Sequence, residues 1–96
     1  MSEEDDAASE MLIEQTIDEA VSTIPDQIEV IKQNKESLKV TDPNEFVYGL
    51  IMGMSLGMAS ALMTAQKQGV PTPDDQMKIR DLVYKKIPLI RERIFE

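Results

Sequence analysis

The chain reads as an all-α domain, and three observations carry that reading. Apolar residues recur at helical spacing along most of its length, strong helix starts stand at Asp42 and Thr72, and no segment alternates apolar with polar as a strand would. At 96 residues there is chain for one small domain. The expected architecture is bundle-like: four helices, or five if the chain breaks at Pro88, around a long apolar central helix, with the whole forming a dimer.

The first helix is expected from about Ala8 to Thr23. Ile13, Ile17, Ala20 and Ile24 recur at spacings of four, three and four, and Met11, Leu12 and Val21 widen the stripe. Pro25 fits the opening turn of a second helix, with Ile28, Ile31 and Leu38 on one face and Lys32, Gln33, Lys35 and Glu36 facing water. That helix is expected to end near Lys39.

The third helix has the clearest limits. Asp42 can cap it, Pro43 suits its first position, and Glu45 stands where a capping box would let it reach back. Gly69 is expected to take the left-handed conformation that closes a helix, just before Pro71. A span of Pro43 to Gln68 follows. The fourth helix opens at once, with Thr72 as cap, Pro73 after it, and Asp74 and Asp75 at the positive end of the helix dipole. So short a link makes the third and fourth helices antiparallel neighbours. Ile79, Val83, Ile87, Ile90 and Ile94 then mark one side, and Pro88, which has no N–H for the carbonyl of Tyr84, should kink or restart the helix.

Charge is distributed unevenly. The formal net charge is −8, yet residues 1–31 hold ten acids and no base, while residues 32–96 hold all ten bases against eight acids. The two parts should attract each other, within one chain or between chains. Residues 1–8 are expected to form an acidic disordered tail, with 9–96 as the single helical domain. The acid-rich first residues are unlike a secretory leader, and the chain has no cysteine, which fits a cytoplasmic location.

Composition also bounds the chemistry. Without His or Cys, the chain has no imidazole or thiolate for zinc or haem ligation and no Cys or Ser-His nucleophile. Glu10, Glu14 and Asp18 share a helix face, but a loose series of this kind is commonly a solvated acidic face, so no metal and no cofactor are assigned. The six cations of residues 76–96 could meet phosphates, but the overall acidity and the lack of an aromatic platform argue against nucleic acid. No constellation of nucleophile, base and stabiliser is present, and the expectation is a protein that is not an enzyme.

The most informative stretch is Phe46 to Ala65, twenty residues without a charge. Within it Gly49, Gly53, Gly57 and Ala61 form a row of small residues on one helix face. A helix apolar on all sides must be covered on all sides, and a single small chain cannot supply every neighbour. The row therefore receives either a helix of the same chain or a second copy. Mid-helix glycines each cost about 1 kcal/mol relative to alanine, which favours a packing return at this row. The reading adopted is a small acidic helical interaction or regulatory module that self-associates as a homodimer through Gly49, Gly53, Gly57 and Ala61, with a further protein partner left unidentified. The alternative is a small single-span membrane protein with residues 46–65 as the span, since their length matches the hydrocarbon thickness.

Overall fold

A computed structural model describes the backbone of residues 3–96 and the side chains of residues 8–96. Among the described residues there is no strand, and six helices follow one another: α1 Glu3–Ser22, α2 Ile24–Gln33, α3 Lys35–Leu38, α4 Pro43–Lys67, α5 Pro73–Lys85 and α6 Ile87–Phe95. The all-helical reading stands, but the segments outnumber the four or five expected. The proposed acidic tail falls largely on residues whose side chains lie outside the described ones. The backbone of α1 already begins at Glu3.

Two of the boundaries, both expected, fall at Ile-Pro pairs, and the one not expected is at Asn34. At Ile24-Pro25 and Ile87-Pro88 a proline sits in the opening turn, where its missing N–H and ring interrupt the ladder of the preceding helix. The flanking residues, Thr23 at φ −83°, ψ −6° and Lys86 at φ −89°, ψ −5°, stay near helical geometry. The chain is bent at these points rather than turned back. A third boundary falls at Asn34, whose side-chain amide donates to the carbonyl of Val30 at 2.8 Å and competes with the helix for it. The second helix therefore does not run unbroken to Lys39. Lys39 instead closes the one-turn α3 in the left-handed region, φ 56°.

The bent pairs behave as two rods. Rod 1 is α1 with α2, rod 3 is α5 with α6, and both pack along α4 while also touching each other, α1 with α5 and α2 with α6. Matching of first with first and second with second makes the rods parallel, and α4 runs antiparallel to both. The ion pairs report the same register. Glu10 meets Lys78 at 3.5 Å and Asp18 meets Lys86 at 3.1 Å, so both rods advance by eight residues between contacts. The arrangement is a three-rod bundle, elongated to 48 × 25 × 18 Å.

Its core follows the predicted stripes. Ile13, Ile17 and Ile24 of rod 1, Val47 and Ile51 of α4, and Ile79, Val83 and Ile90 of rod 3 are essentially sealed from solvent. Burying an aliphatic side chain of this size contributes about 1.5 to 3 kcal/mol, which makes this cluster the main source of stability.

The acidic α1 does lie against the basic rod 3, through Asp18–Lys86 and Glu10–Lys78. Lys85 takes part in no ion pair among the described residues. Lys86→Glu is accordingly expected to lower stability by up to about 1 kcal/mol, more at low salt than at high, whereas Lys85→Glu leaves it nearly unchanged. Urea unfolding of both variants at two salt concentrations checks this. An equal loss for Lys86→Glu at both concentrations would assign the effect to packing.

Candidate functional site

Helix α4 begins and ends where the sequence places it, but not with every predicted bond. At its start the Asp42 carboxylate accepts from the Glu45 N–H at 3.2 Å. The reciprocal half of the expected box is missing because the Glu45 carboxylate points to Arg91 instead, at 3.6 Å. At its end Gln68, at φ 56°, takes the left-handed conformation expected of Gly69, which has no positive φ. The helix closes one residue early. The N–H groups of Gln68 and Gly69 both donate to the Thr64 carbonyl, satisfying it twice.

The next helix is fixed to this end by a complete capping box. Thr72 accepts from the Asp75 N–H at 3.1 Å, and the Asp75 carboxylate accepts from the Thr72 N–H at 2.9 Å and from Lys67 Nζ at 2.7 Å. The last turn of α4 is thus tied to the first turn of α5.

Between these ends α4 presents four rows, each a series spaced by four residues, and the structure gives each row a different environment. Val47, Ile51, Ser55, Ala59 and Met63 form the buried row. Ser55 and Ala59 keep its centre slim, so the rods can come close there. Ser55 Oγ is buried without a hydrogen-bond partner, whereas Ser60 and Thr64 donate to the carbonyls four residues back.

Directly opposite lies the row Gly49, Gly53, Gly57, Ala61, and every member is exposed. A Cβ added at any of the three glycines would meet nothing within 4 Å. Neither rod touches this row, so the structure removes the alternative in which the glycines receive a helix of their own chain. The flanking rows are half-buried or exposed and mostly apolar: Phe46, Leu50, Met54, Met58 and Leu62 on one side, Tyr48, Met52, Leu56 and Ser60 on the other. The two rods cover one half of α4, and an uncharged half is left outward.

The border toward rod 3 carries groups that the sequence reading did not single out. The Arg91 guanidinium lies between the rings of Tyr48 and Phe95, 4.8 and 4.5 Å from their centroids, and Arg80 sits 5.9 Å from that of Tyr84. Two of these stacks join residues four apart on one helix, Arg80 with Tyr84 and Arg91 with Phe95, a spacing open to view in the sequence. The Arg91 stack, which includes Tyr48 of α4, holds a cation at the edge of the apolar face, and Arg80 and Arg91 are both about half exposed.

Elsewhere the chemistry is sparse. Glu10 and Asp18, weighed as metal ligands, are turned to Lys78 and Lys86, and among the described residues no group of three or more His, Cys, Asp or Glu could hold a metal ion. Comparisons with protein-family models, curated proteins and solved structures return no match.

The Asp75 lock makes a pH prediction with a definite sign. The Lys67 hydrogen bond, aided by the Thr72 N–H and opposed by burial, holds the Asp75 carboxyl down from its ordinary 3.8 to about 2. A carboxyl with a lowered folded value contributes stability that is complete above 3.8 and lost as the pH falls through about 2. Wild type is therefore expected to exceed Asp75→Asn in stability at neutral pH and down to about pH 4, with the gap closing toward pH 2. Chemical unfolding of the two proteins across that range measures it.

Proposed function

We propose that the chain is a small, non-catalytic interaction or regulatory module that pairs with a second copy of itself through the outer face of α4. The observation that carries this reading is the exposure of Gly49, Gly53, Gly57 and Ala61 on a helix with no charge from Phe46 to Ala65. Three mid-helix glycines at solvent-facing positions weaken α4 by about 1 kcal/mol each with no return in the single chain. Close approach of another helix supplies that return, because backbones can meet where side chains do not intervene. The half-exposed methionines and leucines on either side then fill the space around the crossing, and thioethers adapt well to such surfaces.

Size supports a second copy as the occupant. A helix of 25 residues is about 37 Å long. At a helix width of about 10 Å its outer face is on the order of 370 Å², so a standard contact of ~800 Å² per partner would also take in the edges of the rods beside it. A large exposed apolar patch on a soluble chain ordinarily marks such a contact.

The second reading is a membrane span, favoured by one observation: α4 is long and apolar enough to cross a bilayer, with 28% of its most apolar window buried. In that case the charged rods would lie beside the span rather than along it, and the protein would need detergent.

Gly53→Leu separates the readings. Because a Cβ at this exposed position would meet nothing within 4 Å in the single chain, the substitution should leave a monomer folded and raise its helix propensity by somewhat under about 1 kcal/mol. In a dimer it forces the two helices apart. The expected result, by light scattering and thermal unfolding without detergent, is a wild type of twice 10.8 kDa and a folded variant of lower mass. A monomeric wild type overturns the proposal, and a wild type that is soluble only in detergent supports the span.

A further inference from the structure

We infer that the outer face of α4 is an oxidation site: peroxide converts Met52, Met54 and Met58 to sulfoxides, and the modified copies no longer pair. This rests on the self-association proposed above and adds its regulation. The argument comes from where the chain keeps its sulfur.

The sequence has seven methionines and no cysteine, so thioethers are the only sulfur it offers to an oxidant. The structure sorts those with described side chains into three environments. Met63 lies on the buried row of α4 and is sealed in the core. Met11 of α1 and Met77 of α5 are more than half exposed. Met52, Met54 and Met58 are half-buried beside the glycine row, with Met54 and Met58 on one flank and Met52 on the other. A second copy seated on Gly53 and Gly57 therefore meets thioether whichever way it runs.

One reaction has a different consequence in each environment. The thioether sulfur attacks one peroxide oxygen, the O–O bond breaks, an S–O bond forms and water leaves, so the sulfur loses two electrons and the peroxide gains them. An apolar side chain becomes a polar one. At Met11 and Met77 water satisfies the new oxygen throughout, and at Met63 the core excludes the oxidant. At Met52, Met54 and Met58 water satisfies it only in the single copy. Pairing strips that water away, while Phe46, Leu50, Leu56 and Leu62 nearby have no donor to replace it and Ser60 already gives its hydroxyl to the Leu56 carbonyl. A polar group left unpaired in a contact weakens association by about tenfold or more.

The modification also reinforces itself. The dimer covers these sulfurs and the single copy leaves them open, so the oxidant reacts with single copies and holds them apart. Having no thiol of its own, the chain depends on an external dithiol reductase, which returns the sulfoxide to thioether, releases water and is left as a disulfide.

Partial oxidation of the unmodified protein tests the proposal. Wild type is exposed briefly to hydrogen peroxide and separated by size exclusion, and the sulfoxides in the dimer and monomer fractions are mapped by mass spectrometry. The expected result is sulfoxide at Met52, Met54 or Met58 confined to a monomer fraction that keeps its helical circular dichroism, with Met11 and Met77 sulfoxides spread evenly over both fractions. That fraction should show a dimer dissociation constant raised about tenfold or more and should recover on treatment with methionine sulfoxide reductase. Sulfoxides of Met52, Met54 and Met58 spread evenly over dimer and monomer overturn the control and leave the self-association standing. A modified fraction that has lost its helical signal also overturns it, because the bundle rather than the pairing has then failed. The variant Met52→Leu/Met54→Leu/Met58→Leu keeps apolar volume without sulfur and is expected to stay dimeric through the same exposure; its dissociation on oxidation overturns the assignment to these three residues. A wild type that is monomeric before any peroxide overturns both proposals.

Discussion

The bundle depends on one constraint: α4 is apolar on every side from Phe46 to Ala65, and the rest of the chain has only two rods with which to cover it. Both rods bend at an Ile-Pro pair and both lie along the same half of α4, closing the core over Val47, Ile51, Ser55, Ala59 and Met63. Rod 1 and rod 3 then meet each other on the side away from the glycine row, where Glu10–Lys78 and Asp18–Lys86 line their seam. The result is a molecule with a charged back and an uncharged front.

That polarity reconciles two features that conflict in a single copy. Glycine is a poor choice for an exposed helix interior on propensity grounds, and a stripe of leucine and methionine is a poor choice for a surface. Both features suit the proposed pairing, in which backbones would approach at the glycine row and flexible side chains would close around them. The ends of α4 are correspondingly firm. The Thr72–Asp75 box with Lys67 fixes one, and the Asp42 cap with the Glu45–Arg91 pair fixes the other. A helix held at both ends presents its outer row as a fixed surface.

Much of this was legible in the residues. Period and capping gave the all-helical class, the start of α4 at Pro43 and of α5 at Pro73, and the break at Pro88, because each rests on local chemistry. The segregation of acids into the first third anticipated the seam between α1 and α5. Other features depend on competition that local patterns do not encode. Asn34 interrupts the second helix by bonding Val30, Glu45 leaves its box for a distant arginine, and Gln68 rather than Gly69 takes the left-handed turn. Which half of α4 faces inward was also hidden, since the stretch has no charged residue on either half and one of its serines, Ser55, lies on the buried row. The small residues located a row, and only packing showed that this row faces out.

The central claim, that the outer face of α4 is covered by a second copy, is tested most directly by the reactivity of its own methionines. Met52, Met54 and Met58 flank the glycine row, while Met11 and Met77, 62% and 52% exposed, serve as references on the rods. Peroxide converts accessible methionine to sulfoxide, and each site can be followed by mass spectrometry on the unmodified sequence. The account predicts slow oxidation of Met52, Met54 and Met58 at high protein concentration, rising on dilution as the dimer dissociates, with Met11 and Met77 oxidised rapidly throughout. Oxidation of the α4 methionines at a rate independent of concentration, in a protein that is monomeric at both extremes, would contradict it.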